Sequence, residues 1–317
     1  MYSPYLYARA SELLALRALI KNKVDLQHLI PIIEPVVLNS ERVQRCMREF
    51  GEAKASLIVV INPAQHEFHE SSEAQINFRT ETIDLFNAHK SLIPGYIVNS
   101  QSTKKKIERF FSFYPDRPVA LLYNSSPLSQ DEFKSIVSNK NIIHHISINE
   151  RISSMQVSLI PKSKFIEVRD NFNKLKKNAD YDGAEFFTDR HKEVGDTLQG
   201  VGDYTITGRS LEIGGGRPGA VAIHATYEKK NSDIWVEHFV SDETDRDMGD
   251  ASSKFLEAAR KLVAAISKRP GEFGNDAALQ AYKDHVANDT FPGLPKNKEY
   301  QIYHHICLML KALPNTK

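Results

Sequence analysis

The chain has 317 residues, enough for one large domain or two ordinary ones and for a core that needs no disulfides or metals. Its 41 Lys and Arg balance 40 Asp and Glu, which excludes global steering towards nucleic acid or an anionic membrane and leaves only a local basic patch for such contacts. The two cysteines, Cys46 and Cys307, lie in helical patterns with apolar neighbours and read as buried thiols of a reducing compartment. The opening MYSPYLYARASELLALRALI has no basic stretch before an apolar core, so it does not read as a signal peptide. No apolar run reaches the roughly 18 residues that span a bilayer, and the expected location is cytoplasmic.

Strand and helix patterns alternate from the start. A short strand at Tyr2–Leu6 precedes a helix whose apolar face carries Leu13, Leu16, Ala18, Leu19 and Ile20. A strand follows at Leu29–Val36, then a helix capped by Asn39 or Ser40 and running to about Ala53. Next come the strand Leu57–Ile61, a helix over Ser71–His89, the strand Ile93–Val98 and a short helix from near Gln101. The strand Pro118–Leu122, a helix over Ser129–Ser138, the strand Ile142–Ile148, a short connection and the strand Phe165–Val168 continue the series. A helix over Ala184–Asp196 is expected before the eighth strand, GVGDYTITG.

Eight strands with mostly helical connections, right-handed by the crossover rule, close into a (β/α)₈ TIM-type barrel of the α/β class. The competing open, doubly wound sheet would show a Gly-rich first βα turn, and none follows Leu6 or Glu34. The whole of 1–317 is expected to be one barrel domain. Residues 209–250 would be an insertion of Gly-rich turn and β-hairpin, with its turn at Lys229–Ser232, lying over the barrel mouth. Residues 251–317 would supply closing and additional helices over Ser252–Lys268, Asp276–Asn288 and Lys298–Leu313, the first of them serving as the eighth barrel helix and FPGLP at 291–295 breaking the last two.

Several motifs resemble a known family. Tyr2, Pro4 and Leu6, followed by Glu12, Leu13, Ala15 and Leu16 and then IIPIIEP, are similar to the opening of the "Beta protein" family of phage and bacterial proteins. GVGDYTITG, AVAIHATY, EHFVSD, SSKFLEAARKLV, FPGLP and HHI resemble, in order, a bacterial subgroup of that family that is often encoded beside a partner gene. The resemblance covers most of the chain. It implies a TIM-type barrel, a protein encoded by a neighbouring gene as partner, and a setting in phage defence or mobile elements. It implies no particular chemistry.

Five apolar runs end on a polar residue: Glu34, Asn62, Asn99, Asn124 and Asn149. That is the end of a parallel strand where α/β folds hold their ligands. Asparagine can cap or hydrogen-bond but is no acid or base near neutral pH, so the four asparagines read mainly as rim closures, with Asn62 a ligand-binding candidate. Glu34 reads as a general acid/base or metal ligand, or else as a carboxylate paired with an arginine, Arg9 being the nearest candidate. Glu12 suits the N-terminus of the first helix. Arg169 and Asp170 follow the seventh strand, and Asp170 with Glu34 would form a Mg²⁺ or Mn²⁺ site unless both are spent in salt bridges. Asp203 alternates with Thr205 and Thr207, and it is either an acid facing into the barrel or a turn residue.

His224 and His238 interrupt the two hairpin strands. They either face each other as core histidines or leave His224 as a proton donor at the site. Gly214–Gly216 with Arg217 is either a phosphate-wrapping turn or a plain connection, and it lacks the Gly-Lys-Ser/Thr of a P-loop. HEFHE at 66–70 is not HExxH, although its His66 and His69 at i, i+3 can still bind a metal, and HHI at 144 and at 304 reads as packing. Lys104–Lys106 reads as a solvated helix face, whereas Lys162, Lys164, Arg169, Lys174, Lys176 and Lys177 can meet phosphate, opposed by the acidic stretch Asp242–Asp250.

These residues support two functions. The first is a barrel scaffold that works through protein–protein interaction with a partner. The second is a metal-assisted hydrolase of a phosphate ester or nucleotide, in which Glu34, Asp170 and Asp203 hold the ion, Arg9, Arg169 and the local lysines balance phosphate charge, and His224 assists the leaving group, with Arg217 a separate ligand-binding candidate.

Overall fold

Short runs of Ile, Val and Leu buried on both faces are the mark of a parallel sheet covered by helices, and the computed structural model, which describes residues 1–214 and 216–314, contains that sheet. In chain order its first elements are β1 (Tyr5–Leu6), α1 (Ala10–Lys21), β2 (Ile32–Ile33), α2 (Glu41–Glu52), β3 (Leu57–Val60), α3 (Ser72–Ala88) and β4 (Leu92–Val98). They continue with α4 (Lys104–Phe113), β5 (Val119–Tyr123), α5 (Gln130–Val137), β6 (Ile142–Ile148), α6 (Ser154–Ser158), β7 (Phe165–Arg169), β8 (Ala184–Thr188) and β9 (Gly200–Asp203). The barrel strands pair in parallel in the order β1–β2–β3–β4–β5–β6–β7–β9. Their inward side chains, among them Ile32, Ile58, Val60, Ile97, Leu122, Ile146, Ile166 and Val168, form a closed interior cluster. A second cluster between strands and helices holds Leu13, Leu16, Met47, Phe50, Phe86, Phe110 and Phe133. The eight-stranded TIM-type barrel expected from the strand pattern is therefore the fold.

The ends of the sheet meet where the chain's first residues lie along β9. The Ser3 N–H donates to the Val201 carbonyl at 2.9 Å, and the Val201 N–H donates to the Met1 carbonyl at 3.1 Å. This approach needs glycine. A Cβ on Gly202 would sit 2.0 Å from the Ser3 carbonyl oxygen, and one on Gly200 would sit 2.7 Å from that of Met1. Beside the seam, Asp203 is buried and accepts three hydrogen bonds at one carboxylate oxygen: from the Tyr2 hydroxyl at 2.8 Å, the Thr205 N–H at 2.8 Å and His305 Nε2 at 3.1 Å.

Three expectations are corrected beyond β7. Residues 184–188 form β8, an extended AEFFT segment, and only a single 3₁₀ turn over Arg190–Glu193 follows it. Phe186, Phe187 and Thr188 suit a pleated surface better than a helix, and β8 gains its partner from far along the chain. The hairpin strands β10 (Ala222–Glu228) and β11 (Ile234–Val240) pair antiparallel, and β8 joins β11 to give a three-stranded sheet in the order β10–β11–β8. This sheet stands beside the barrel rather than over its mouth: Ile234 and Val236 pack into the barrel–helix core, while Ile223, Ala225, Tyr227 and Phe239 pack on Phe255, Leu262 and Phe273. The remaining helices are α7 (Ala251–Lys268), α8 (Ala277–Ala287) and α9 (Leu294–Ala312). The eighth barrel helix is α9, which lies against α1, β10 and the 3₁₀ turn at Thr205–Thr207, whereas α7 covers the outer face of the hairpin sheet.

Asp276 caps α8 and accepts a hydrogen bond from His304 Nδ1 on α9 at 2.7 Å. Burial alone would lower the His304 pKa, but the Asp276 carboxylate carries it above the usual histidine value. Cys46 and Cys307 are free thiols, and burial pushes both up to about 12. Among the described residues no helix is long and apolar enough to cross a membrane.

The seam predicts the cost of one methyl group. Gly202→Ala must force residues 1–3 off β9 and is expected to destabilise the fold by about 2 kcal/mol or more, seen as a lowered urea midpoint. Wild-type stability in the variant would refute the closure geometry.

Candidate functional site

Each strand-ending polar residue has a partner within the protein. The Asn62 amide copies a backbone unit: its Nδ2 donates to the Ile97 carbonyl at 2.9 Å, and its Oδ1 accepts from the Ile97 N–H at 2.8 Å. Asn99 Oδ1 accepts from the Gln101 N–H, Asn149 Oδ1 accepts from the Asp170 N–H at 2.8 Å, and Asn124 Oδ1 accepts from Arg151. These amides extend the strand ladders into the rim, as loop closures do.

Glu34 is buried in the mouth, where the Tyr5 hydroxyl donates to it at 2.5 Å and the Ala64 N–H donates at 3.1 Å. Burial holds its pKa above the usual carboxyl value, and the two hydrogen bonds offset only part of that rise. Arg9 is not its partner. The Arg9 guanidinium pairs with Glu12 one turn on, and the Glu12 carboxylate also accepts from the Arg9 backbone N–H at 2.9 Å at the start of α1.

Tyr5, Tyr7 and Tyr204 fill the space above Glu34, with ring centroids 5.1 to 6.1 Å apart. The chain after β9 folds back across them: the Tyr7 hydroxyl donates to the Arg209 carbonyl at 2.6 Å, and Leu211 packs on the interior cluster. Asp170 Oδ1 accepts from the Arg209 N–H at 3.2 Å, and burial raises its pKa. The mouth is thus plugged by tyrosines and by the first residues of the expected insertion, while the hairpin stands aside.

The ion-holding triad expected from the sequence does not assemble. Glu34 points into the barrel, whereas Asp203 points outward through the wall to Tyr2 and His305. Among the described residues no three His, Cys, Asp or Glu side chains are placed to hold a metal ion. Arg169 is held by Glu150 and Glu167, and Glu167 also binds Arg190. Arg217 donates to the Gly249 carbonyl at 2.7 Å. His66 bonds the Val36 carbonyl, His144 bonds Gln199, and His145 bonds the Tyr123 hydroxyl, with burial lowering the His145 pKa to about 3.

An open cleft of about 540 Å³ lies beside the plugged mouth, between the loop after β7, the Gly-rich segment after β9, β10 and the start of α9. Arg9, Lys174, Lys176 and Lys298 bring four cations to it, against the single carboxylate of Glu212. His224 forms part of its wall and is braced edge-on by Phe172 and Tyr181, with ring centroids 5.0 and 4.6 Å away. His224 Nδ1 lies 2.8 Å from His238 Nδ1, and His238 Nε2 lies 3.3 Å from Glu185 Oε1. Burial lowers the pKa of both rings, that of His224 far below the usual value. Both are therefore neutral near pH 7.

That chain fixes the tautomers. The Glu185 carboxylate only accepts, so His238 carries its proton on Nε2 and accepts at Nδ1. His224 must then donate from Nδ1, which leaves its Nε2 unprotonated.

Comparison of the chain with protein-family models and with curated proteins finds no match.

Of the residues expected at a site, Arg9 and His224 meet in the cleft, Glu34 and Asp170 flank the tyrosine plug, and Asn62, Arg169, Asp203 and Arg217 are bound elsewhere. Lys298 carries no motif in the sequence, and Tyr204 and His305 lie in GVGDYTITG and HHI without being read there as site residues. The alternation of Tyr5 and Tyr7 along one strand face was the one available sign that the mouth would be filled.

Glu34 predicts a pH dependence. Its folded pKa is raised, so the stability linked to its proton is fully present below the usual 4.5 and is lost as pH rises through the folded value. Glu34→Gln is expected to flatten the change in urea midpoint between about pH 4.5 and neutral. An unchanged slope would refute the buried, proton-retaining carboxyl.

Proposed function

We propose that this protein is a barrel scaffold that acts with a partner protein, in phage defence or a mobile-element function. One observation carries the proposal: the barrel mouth, where barrel enzymes hold their substrates, is occupied by Tyr5, Tyr7 and Tyr204, and both Glu34 and Asp170 are engaged within the protein. The sheet β10–β11–β8 and the helices α7 and α8 add surface to one side of the barrel without adding residues to the mouth, which suits a binding role better than a reaction chamber. The resemblance to the Beta protein family supplies the biological setting and the partner, a protein encoded by a neighbouring gene. The metal-assisted hydrolase reading loses its support with the separation of Glu34 from Asp203.

Co-expression of the tagged chain with the product of the adjacent gene tests the proposal. The two are expected to co-elute from size-exclusion chromatography as one species at micromolar concentration, as interfaces of ordinary size allow. Separate elution, together with loss of the cellular phenotype in Glu34→Gln or Asp170→Asn variants that still fold, would overturn it in favour of chemistry at the mouth.

A further inference from the structure

We propose that the cleft beside the mouth is a binding site for a phosphorylated, hydroxyl-bearing small molecule of the sugar-phosphate class, with Lys298 as the principal phosphate ligand and His224 Nε2 accepting a ligand hydroxyl. The proposal is independent of the partner reading, because it rests on the cleft and not on the closed mouth.

Charge is the first argument. Of the four cations, Arg9 is paired with Glu12 and Lys174 with Glu212. Lys298 and Lys176 are exposed and have no hydrogen bond or ion pair among the described residues; Arg9 and Lys174 act against the charge of Lys298, and Glu12 and Glu212 favour it. Crowding cations in a partly enclosed space is unfavourable unless an anion joins them. Two uncompensated positive charges match a phosphate monoester, which carries close to two negative charges at neutral pH, better than a single carboxylate.

The neighbouring surface provides a contrast. A cleft of about 510 Å³ between α1 and α9 also holds charged residues, but there Arg17 pairs with Glu49 and Lys296 pairs with Glu299. Only Lys21 is left without a partner there among the described residues, against two lysines in the cleft beside the mouth, so the demand for an anion is smaller.

His224 is the second argument. The ring is buried, packed by Phe172 and Tyr181, and tied through His238 to Glu185. Its Nε2 makes no hydrogen bond within the described residues, and the ring lines the cleft. A bare nitrogen accepts a proton and repels a fully ionised phosphate, so a ligand that binds beside it suits it best with a donor, and a hydroxyl is the donor that accompanies phosphate in a sugar phosphate. The volume lies within the range of small-molecule sites, and Gly214 at the lip has no neighbour within 4 Å of the position its Cβ would take, so the backbone there leaves room for a phosphate.

Calorimetric titration of the full chain at low salt with ribose 5-phosphate, inorganic phosphate and ribose tests the site. Ribose 5-phosphate is expected to bind at least about tenfold more tightly than inorganic phosphate, and ribose alone not to bind. Lys298→Met is expected to weaken ribose 5-phosphate by about tenfold or more, Lys298→Arg to retain most of the affinity, and Lys105→Met on the solvated face of α4 to change nothing. The unliganded Lys298→Met protein should melt no lower than wild type, because the substitution removes a crowded cation. Lys176→Met provides a second variant that leaves α9 untouched and should weaken the same ligand. Equal affinity for ribose 5-phosphate and inorganic phosphate would overturn the hydroxyl contact. Undiminished binding in folded Lys298→Met, or equal loss in Lys105→Met, would overturn the site.

Discussion

The Asp203 carboxylate is the interaction on which the architecture depends. A buried charge is costly unless it is paired and hydrogen-bonded, and one oxygen of Asp203 collects donors from Tyr2 near the start of the chain, from the turn after β9, and from His305 near its end. Through His305 Nδ1 the connection reaches the Thr226 hydroxyl on β10. A single side chain thus ties the two ends of the barrel sheet to the last helix and to the added sheet. Removing any donor would leave a buried acceptor short of a partner, at about 1–3 kcal/mol.

The same seam explains why the functional features lie off the barrel axis. β9 is followed at once by the 3₁₀ turn at Thr205–Thr207 and by a segment that crosses the mouth and is held there by Tyr7 and Asp170. Closure of the barrel and closure of its mouth are consecutive events in one stretch of chain. Beside the mouth a cleft remains where the loop after β7, the start of α9 and the histidine face of the hairpin converge. The hairpin builds the cleft by standing beside the mouth, because its two faces are committed to the barrel side and to α7.

The barrel was legible in the sequence because its strands are apolar runs of the right length, buried whichever way their side chains point. The hairpin was legible from its alternation. Residues 184–188 were misread because helix and strand patterns are hard to tell apart over five residues, and the partner that makes them a strand lies some fifty residues on. The direction of Asp203 was not legible either. A shift of one residue moves a strand side chain from one face to the other, and the outward face was fixed by Tyr2 and by His305, about a hundred residues away. HHI at 304–306 looked like packing, and it is packing, but of polar groups around a buried charge. The cleft is the least legible feature, because it draws on segments at Arg9, Lys174, His224 and Lys298 that no local spacing connects.

The placement of α9 has a consequence for how the chain reaches this state. The eighth barrel helix packs against the first, and the Asn22 amide on one side bonds the Tyr303 hydroxyl on the other. Contacts that span nearly the whole chain are slow to form, since the closure entropy is lost before they return any stabilisation. During synthesis at about 5–20 residues per second, β1 to β9 emerge well before the helix that covers their open side. For several seconds the nascent barrel lacks the helix that packs on the flank of α1, where Ser11 and Asn22 later bond Pro295 and Tyr303. Truncations that remove α9 are expected to aggregate rather than leave a smaller stable barrel, because α1 and β10 lose the helix they pack against.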